Sequence, residues 1–481
     1  MLAALIAACI AVFIAVGALA SRRVRNSADY AVARGGFGTL VVAATVFTTW
    51  FGAETVLGIP AVFLKEGVGG LAADPFAAVG CLAVIGLVFA RPLFRLSPLT
   101  LGDYFRSRFG RPAEVVLTLC IAFSYFGWVA AQFVALGLAF NVLSGGAIDL
   151  RTGVVLGAAA VLIYTVAGGM WSVALTDFLQ AVVIIAGLAC VAWVVADLAG
   201  GAGRVIESAA ESGRLRFLPA PDLKSVLAFI SAGLVVLLGS IPQQDVLQRI
   251  VSARDEKVAA SGAILGGIVY FCIALIPIFL VSAAALIDAP MVEKLVARDH
   301  QLILPTLILE RTPFAIQVLF FGALISAILS TASGALLAPA VMLAENLVRP
   351  LAPGMGDAAL LRTMRLTVLA LGTGITVMAL TSSLSIYQLV NESGKVVLVA
   401  AFVPLAAGLF WPRATGAGAL LSSGCGLAVW LVLEAVAPEA TVPPPLAGLA
   451  AGAAGMVAGS AFHPVLSAFR RFLLLPRGPG A

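Results

Sequence analysis

Residues 44–60 read ATVFTTWFGAETVLGIP. Glu54 stands inside an apolar run long enough to cross a bilayer, with Gly52 and Gly58 on either side and Pro60 just beyond. A carboxylate at membrane depth is costly, and broken backbone is tolerated there only where it lines a cavity in the protein. The stretch therefore predicts a discontinuous membrane helix built around a site. A second interrupted segment, LAFISAGLVVLLGSIPQQDVLQR at 227–249, places Gly239, Ser240 and Pro242 just before a polar run. Paired discontinuous helices in corresponding halves of a bundle mark a transporter site near the bilayer midplane. The two segments lie five spans apart, the separation an inverted five-helix repeat demands.

The rest of the chain fits a membrane setting. Of 481 residues, 61% are hydrophobic and only 11% charged, against about a quarter charged in a soluble domain. Mean hydropathy is +1.09. That balance excludes a soluble multidomain enzyme and predicts an all-α, multi-pass integral membrane protein. Thirteen runs are long enough to span, at about 1–20, 37–64, 71–95, 113–143, 152–169, 175–199, 225–247, 258–286, 313–345, 363–381, 384–410, 415–436 and 443–465. The first is apolar from Leu2 and is followed by SRRVR, without the basic n-region of a signal peptide, so it counts as a span. Lys and Arg in or beside the loops divide 19 to 9 between the two sides. The positive-inside rule then puts the N-terminus outside the cell and the C-terminus, with Arg470, Arg471 and Arg477, in the cytoplasm of a plasma-membrane protein. The net charge of +5 reports topology, and no basic tract points to nucleic acid. Cys9, Cys81, Cys120, Cys190, Cys272 and Cys425 all fall in apolar stretches, which predicts core packing over disulfides or zinc.

Span 9 carries ALISAILSTASGALLAPA, in which Ser330 and Ser333 lie one turn apart with Thr331 beside them. Hydroxyl and carbonyl oxygens without a full carboxylate suit a hard monovalent cation that must be released each cycle. The same residues would also serve close helix packing. Asp177 falls near the cytoplasmic start of span 6, either as a carboxylate favoured by the helix dipole or as part of a cation exit path. Span 11 holds Gln388, Asn391, Glu392 and Lys395. Glu392 and Lys395 are one turn apart and are expected to neutralise each other. His300 and His463 have no ligand set near them, and no HExxH, GxSxG or Cys/His cluster supports a membrane enzyme.

At these residues the chain resembles the sodium:solute symporter family. The most specific block is GGMWSVALTDFLQ at 168–180. LTLGDYFRSRFG at 99–110, QRIVSARDEKVA at 248–259, AILSTASGALL at 327–337 and FVPLAAGLFWPRATGAGAL at 402–420 agree in order and spacing. The resemblance implies a LeuT-type fold of two inverted five-helix repeats, at 37–224 and 225–412. An extra helix and first loop (1–36) lie in front of them, and peripheral helices with a short tail (413–481) follow. It implies Na⁺ as the coupling ion, a small solute and the lipid bilayer as partners, and neither nucleic acid nor an obligate protein partner. Carried over by position, the sodium ligands are the carbonyls of Thr48, Phe51 and Ala327 and the hydroxyls of Ser330 and Thr331. Asp177 and Ser333 match a second sodium position used by some members. About 16 residues follow span 13, which argues against the fused kinase of some relatives and leaves a transport-coupled sensor with a separate partner as the other class.

The solute is less defined. Where the sugar-carrying branch has polar and aromatic groups in span 7, this chain has Val236, Gly239 and Ser240. Where the proline branch has Asp in span 2, it has Trp50. Thr49 to Gly52, FARP at 89–92, YTVAGGMWSVALTD at 164–177 and IPQQDVLQR at 241–249 look most like the high-affinity choline transporter branch. Two tryptophans of that branch's aromatic cage match Trp50 and Trp128, and two further cage positions fall on Ala78 and Gln243. Glu54 and Ser240 complete the expected solute contacts. A quaternary amine such as choline or betaine is the expected solute. An amino acid or carboxylate against an apolar Trp wall is the alternative.

Overall fold

The computed structural model describes the backbone of residues 1–473 and the side chains of 1–461. The expectations placed on His463, Arg470, Arg471 and Arg477 lie outside the described side chains. Among the described residues, nine helices are long and apolar enough to cross a membrane, and two bent pairs raise the number to eleven. The bent pairs are Thr39–Trp50 with Glu54–Glu66, at 53°, and Leu223–Gly239 with Gln244–Ser252, at 46°. These are the two segments whose Gly, Pro and polar residues predict a break.

Helix Leu150–Leu198 is 49 residues long. At about 1.5 Å per residue that is more than twice the hydrocarbon thickness of a bilayer. It is two spans joined at Gly169, whose φ of 52° and ψ of −148° interrupt the helical geometry. The expected loop at 170–174 does not exist, because one glycine makes the whole corner. A Cβ on Gly169 would stand 2.5 Å from the ring and the carbonyl of Tyr30. With Pro444–Leu473 as a further 30-residue helix, each predicted span has its helix or helix pair.

Span 9, helix Phe314–Leu343, is buried on nearly every side and packs against the long broken helix, span 4 (Arg111–Leu143) and span 2. Span 1, helix Leu2–Ala20, lies against the broken helix, and span 12 (Gly416–Val436) pairs with Pro444–Leu473 at the periphery. The cysteines correct one expectation. They form no disulfide, but only Cys81 is buried, whereas Cys190 and Cys272 are exposed on the outside of the bundle. Lipid and core are equally apolar, so a hydrophobic run does not say which face a residue takes.

Candidate functional site

The break in span 2 comes after Trp50. Phe51 leaves helical geometry at φ −92°, ψ 75°, and helix resumes at Glu54. The Thr48 carbonyl is taken by a hydroxyl from across the bundle, Thr331 Oγ1 of span 9, which donates to it at 3.2 Å. Thr48, Phe51, Ala327, Ser330 and Thr331 are all fully buried at this crossing. Ala327 sits one turn before Thr331 in unbroken helix, so its carbonyl has only its second lone pair to offer.

Ser330, next to Thr331, points elsewhere. Its hydroxyl donates to Asp177 Oδ1 at 2.6 Å. Asp177 is fully buried, two turns beyond the Gly169 corner of the broken helix, and among the described residues its Oδ2 has no hydrogen-bond partner. The buried guanidinium of Arg249 lies 4.0 Å from that oxygen. Arg249 donates instead to neutral acceptors, the Asp245 carbonyl at 2.8 Å and Thr49 Oγ1. Ser333 does not join Asp177: its hydroxyl donates to the Ser330 carbonyl of its own helix at 3.0 Å. Ser330 is therefore the span 9 hydroxyl that touches Asp177, with Ser333 one turn along the same helix.

Beside this crossing is a partly open cavity of about 80 Å³ that brings together all five expected solute contacts, Trp50, Glu54, Trp128, Ser240 and Gln243. Ala78 and Val236 also line it. Gly239 does not, because it approaches span 11, where a Cβ would stand 2.8 Å from the Gly394 carbonyl. Glu54 holds the wall in order. Trp128 Nε1 donates to its Oε1 at 3.0 Å and Gln132 Nε2 to its Oε2 at 2.8 Å. Gln132 Oε1 in turn accepts from the Ala53 amide at 2.9 Å, which ties span 4 to the start of the second half of span 2. Trp128 stacks on Tyr125 at 5.9 Å, and Trp50 meets the edge of Tyr270 at 6.4 Å.

Cavity and crossing meet at Gly52. A Cβ there would stand 2.5 Å from Glu54 Oε2, 2.9 Å from Thr331 Oγ1 and 3.0 Å from Gln132 Oε1. The missing side chain is what lets a cavity carboxylate approach a hydroxyl at the crossing of spans 2 and 9.

The polar run of span 11 divides by role. Gln388 closes a capping box with Ser385. Lys395 pairs with Glu392 at 2.7 Å and also with Glu434 of span 12 at 3.3 Å. Asn391 lines the cavity. Residues that sequence reasoning passed over are Gln132, Arg249 as a buried cation, and Asp74, a further cavity carboxylate. For Asp74 a signal existed: an Asp-Pro pair inside span 3 is an intramembrane ionisable group, which is functional by default.

The model of the family described as "Sodium:solute symporter family" matches residues 30–426. The chain belongs to the sodium:solute symporter family. This symporter is 27% identical over 424 residues to the high-affinity choline transporter 1 of Caenorhabditis elegans, covering 85% of this chain and 71% of the relative. It is 26% identical over 430 residues to the human high affinity choline transporter 1, covering 86% and 73%. To the sodium/pantothenate symporter of Escherichia coli K12 it is 27% identical over 414 residues, 84% of each chain. A solved Na⁺-coupled sialic acid symporter in a substrate-bound outward-open state superposes with a TM-score of 0.83 at 19% identity, over 96% of this chain and 97% of that one. The fold is therefore the LeuT type of two inverted five-helix repeats, and the protein is a multi-pass Na⁺-coupled solute symporter and not an enzyme.

Proposed function

We propose that the symporter imports a small organic cation of the quaternary-amine class, such as choline, together with sodium. The observation that carries this reading is the charge balance of the cavity. Trp50, Trp128, Glu54 and Asp74 stand in its wall, and among the described residues no Lys or Arg does. A cation over indole faces gains about 2 kcal/mol or more when desolvated, and two carboxylates deepen that preference. An acid, the class to which pantothenate and sialic acid belong, would set its charge against Glu54 and Asp74 with no basic side chain to receive it. The same argument weighs against betaine and amino acids, whose carboxylates would need a donor of opposite charge. The similarity to choline transporters supports the cation reading independently of the cavity.

Sodium is assigned to the carbonyls of Thr48, Phe51 and Ala327 and the hydroxyls of Ser330 and Thr331. Support comes from the Thr331 to Thr48 bond, which already joins ligands from spans 2 and 9. A second position centres on Asp177 and Ser330, with Ser333 adjoining. In this reading 37–224 and 225–412 are the two repeats, flanked by 1–36 and 413–481. The excess of Lys and Arg puts the N-terminus outside and the C-terminus in the cytoplasm.

The test is a thermal-shift screen of the purified protein against choline, betaine, proline and pantothenate, with Na⁺ or with K⁺ in its place. Choline should raise the melting temperature only with Na⁺ present. A Na⁺-dependent shift confined to acids would overturn the reading.

A further inference from the structure

We propose that Asp74 is the hydrogen-bond acceptor for the solute, so that the transported cation carries an O–H or N–H donor near its charged centre. This rests on the cation reading above and narrows it.

The two cavity carboxylates are not equivalent. Glu54 is 4% exposed and both its oxygens are engaged, one by Trp128 and one by Gln132. It orders the wall and has little left to offer a solute. Asp74 is half-buried, and only its Oδ1 is bound, by the hydroxyl of Tyr270. Among the described residues no hydrogen bond reaches Oδ2. Nor is Asp74 an ordinary helix-start carboxylate. It caps no backbone amide, and at φ −140°, ψ 124° it stands at an extended point within span 3 (Val68–Leu96). That local unwinding turns its side chain out of the helix and into the cavity wall.

Its position is held from behind. Tyr270 Oη lies 3.3 Å from Thr55 Oγ1 in the second half of span 2, and the Tyr270 and Trp50 rings pack at 75° to each other. The carboxylate and the indole face are therefore set at a fixed relation by one tyrosine. Of the other polar groups in the wall, Ser393 donates its hydroxyl to the Leu389 carbonyl at 2.8 Å, and Ser240, Gln243 and Asn391 are neutral, so they accept a donor more weakly than a carboxylate does.

While the cavity holds water, water satisfies Asp74 Oδ2. Once a solute displaces that water, an unmatched carboxylate oxygen is heavily disfavoured, and a donor on the solute replaces what the water gave. A quaternary head has no N–H, so the donor must be a hydroxyl beside it, as in an alkanolamine. A solute with a carboxylate in the same place meets like charge.

The test compares four probes on the purified full chain in Na⁺: choline, its O-methyl ether, tetramethylammonium and betaine. Wild type should bind choline roughly tenfold or more tightly than the ether, the margin of a charge-assisted hydrogen bond, with betaine weakest. Asp74→Ala should bring choline down to the ether, and Asp74→Asn should fall between. A thermal melt of each variant separates lost binding from lost fold. Equal binding of choline and the ether by wild type would overturn the role of Asp74 and leave the cation reading standing. If betaine binds more tightly than choline, the role of Asp74 is overturned as well. If no quaternary amine binds, the cation reading falls and this inference with it.

Discussion

Trp50 and Trp128 share a cavity but are held differently, and substitutions should reveal it. Trp50 is positioned by packing against Tyr270, so Trp50→Phe keeps a weaker π face and Trp50→Leu keeps only bulk. For a quaternary ammonium, affinity should fall in the order Trp, Phe, Leu, with Leu losing roughly 30-fold, the equivalent of about 2 kcal/mol. Radioligand competition reads this directly, and equal affinity for the Phe and Leu variants would favour a plain apolar wall. At Trp128 even Phe should be costly, because it removes the donor to Glu54 Oε1 and leaves a buried carboxylate oxygen unmatched. On the sodium side, the Ser330→Ala, Thr331→Ala double variant loses two of about five proposed ligands. Its uptake should need at least tenfold more Na⁺ for half-maximal rate, and an unchanged sodium dependence would refute the assignment. Most of these residues were legible in the sequence because Trp, Glu and hydroxyls stand out against an apolar background. For Asp74 the sequence signals an intramembrane carboxylate, but not which group holds it, because its partner Tyr270 is 196 residues away.

Among the elements, the broken ones carry the mechanism. Gly, Pro and polar residues announce the breaks in spans 2 and 7, because an unsatisfied backbone group in lipid is so unfavourable that it survives only beside a cavity. The corner between spans 5 and 6 is different. Its single residue, Gly169, lies at a φ that side chains with a Cβ rarely adopt, against the ring of Tyr30. Gly169→Ala should therefore destabilise the protein by about 2 kcal/mol or more, seen as a lower melting temperature in detergent, with the surviving fraction keeping its solute affinity. Wild-type stability would mean that the corner relaxes. The sequence places a boundary here, ending span 5 at 169, but predicts a loop of five residues where the break occupies one.

For the whole molecule, the meeting of cavity and crossing at Gly52 makes coupling a short-range matter. Glu54, Gln132 and Thr331 surround one point, so binding at the proposed solute site is expected to reorder groups of the proposed sodium site. Thermodynamic linkage then requires reciprocity. Sodium should strengthen solute binding, and the solute should strengthen sodium binding by the same factor, measurable by titrating each at fixed levels of the other. Independent affinities would show that Gly52 only packs helices and that coupling resides elsewhere. In proteoliposomes, uptake should follow an imposed Na⁺ gradient and stop when it is collapsed.

The sequence by itself determined the solvent, the all-helical class, the two broken helices and the residue types that line the cavity. Each of these follows from local composition: apolar length, a helix breaker, or a polar group that lipid cannot tolerate. Tertiary structure alone decided which polar groups meet. Ser330 turns to Asp177 and not Ser333, Arg249 lies beside Asp177, and Glu54 is consumed by Trp128 and Gln132 while Asp74 keeps an oxygen free. It also decided that Cys190 and Cys272 face outward. The physical reason is common to all of them. In a membrane bundle the lipid face and the core face are equally apolar, so the linear pattern carries little information about orientation, and partners far apart in the chain are chosen only when the helices pack.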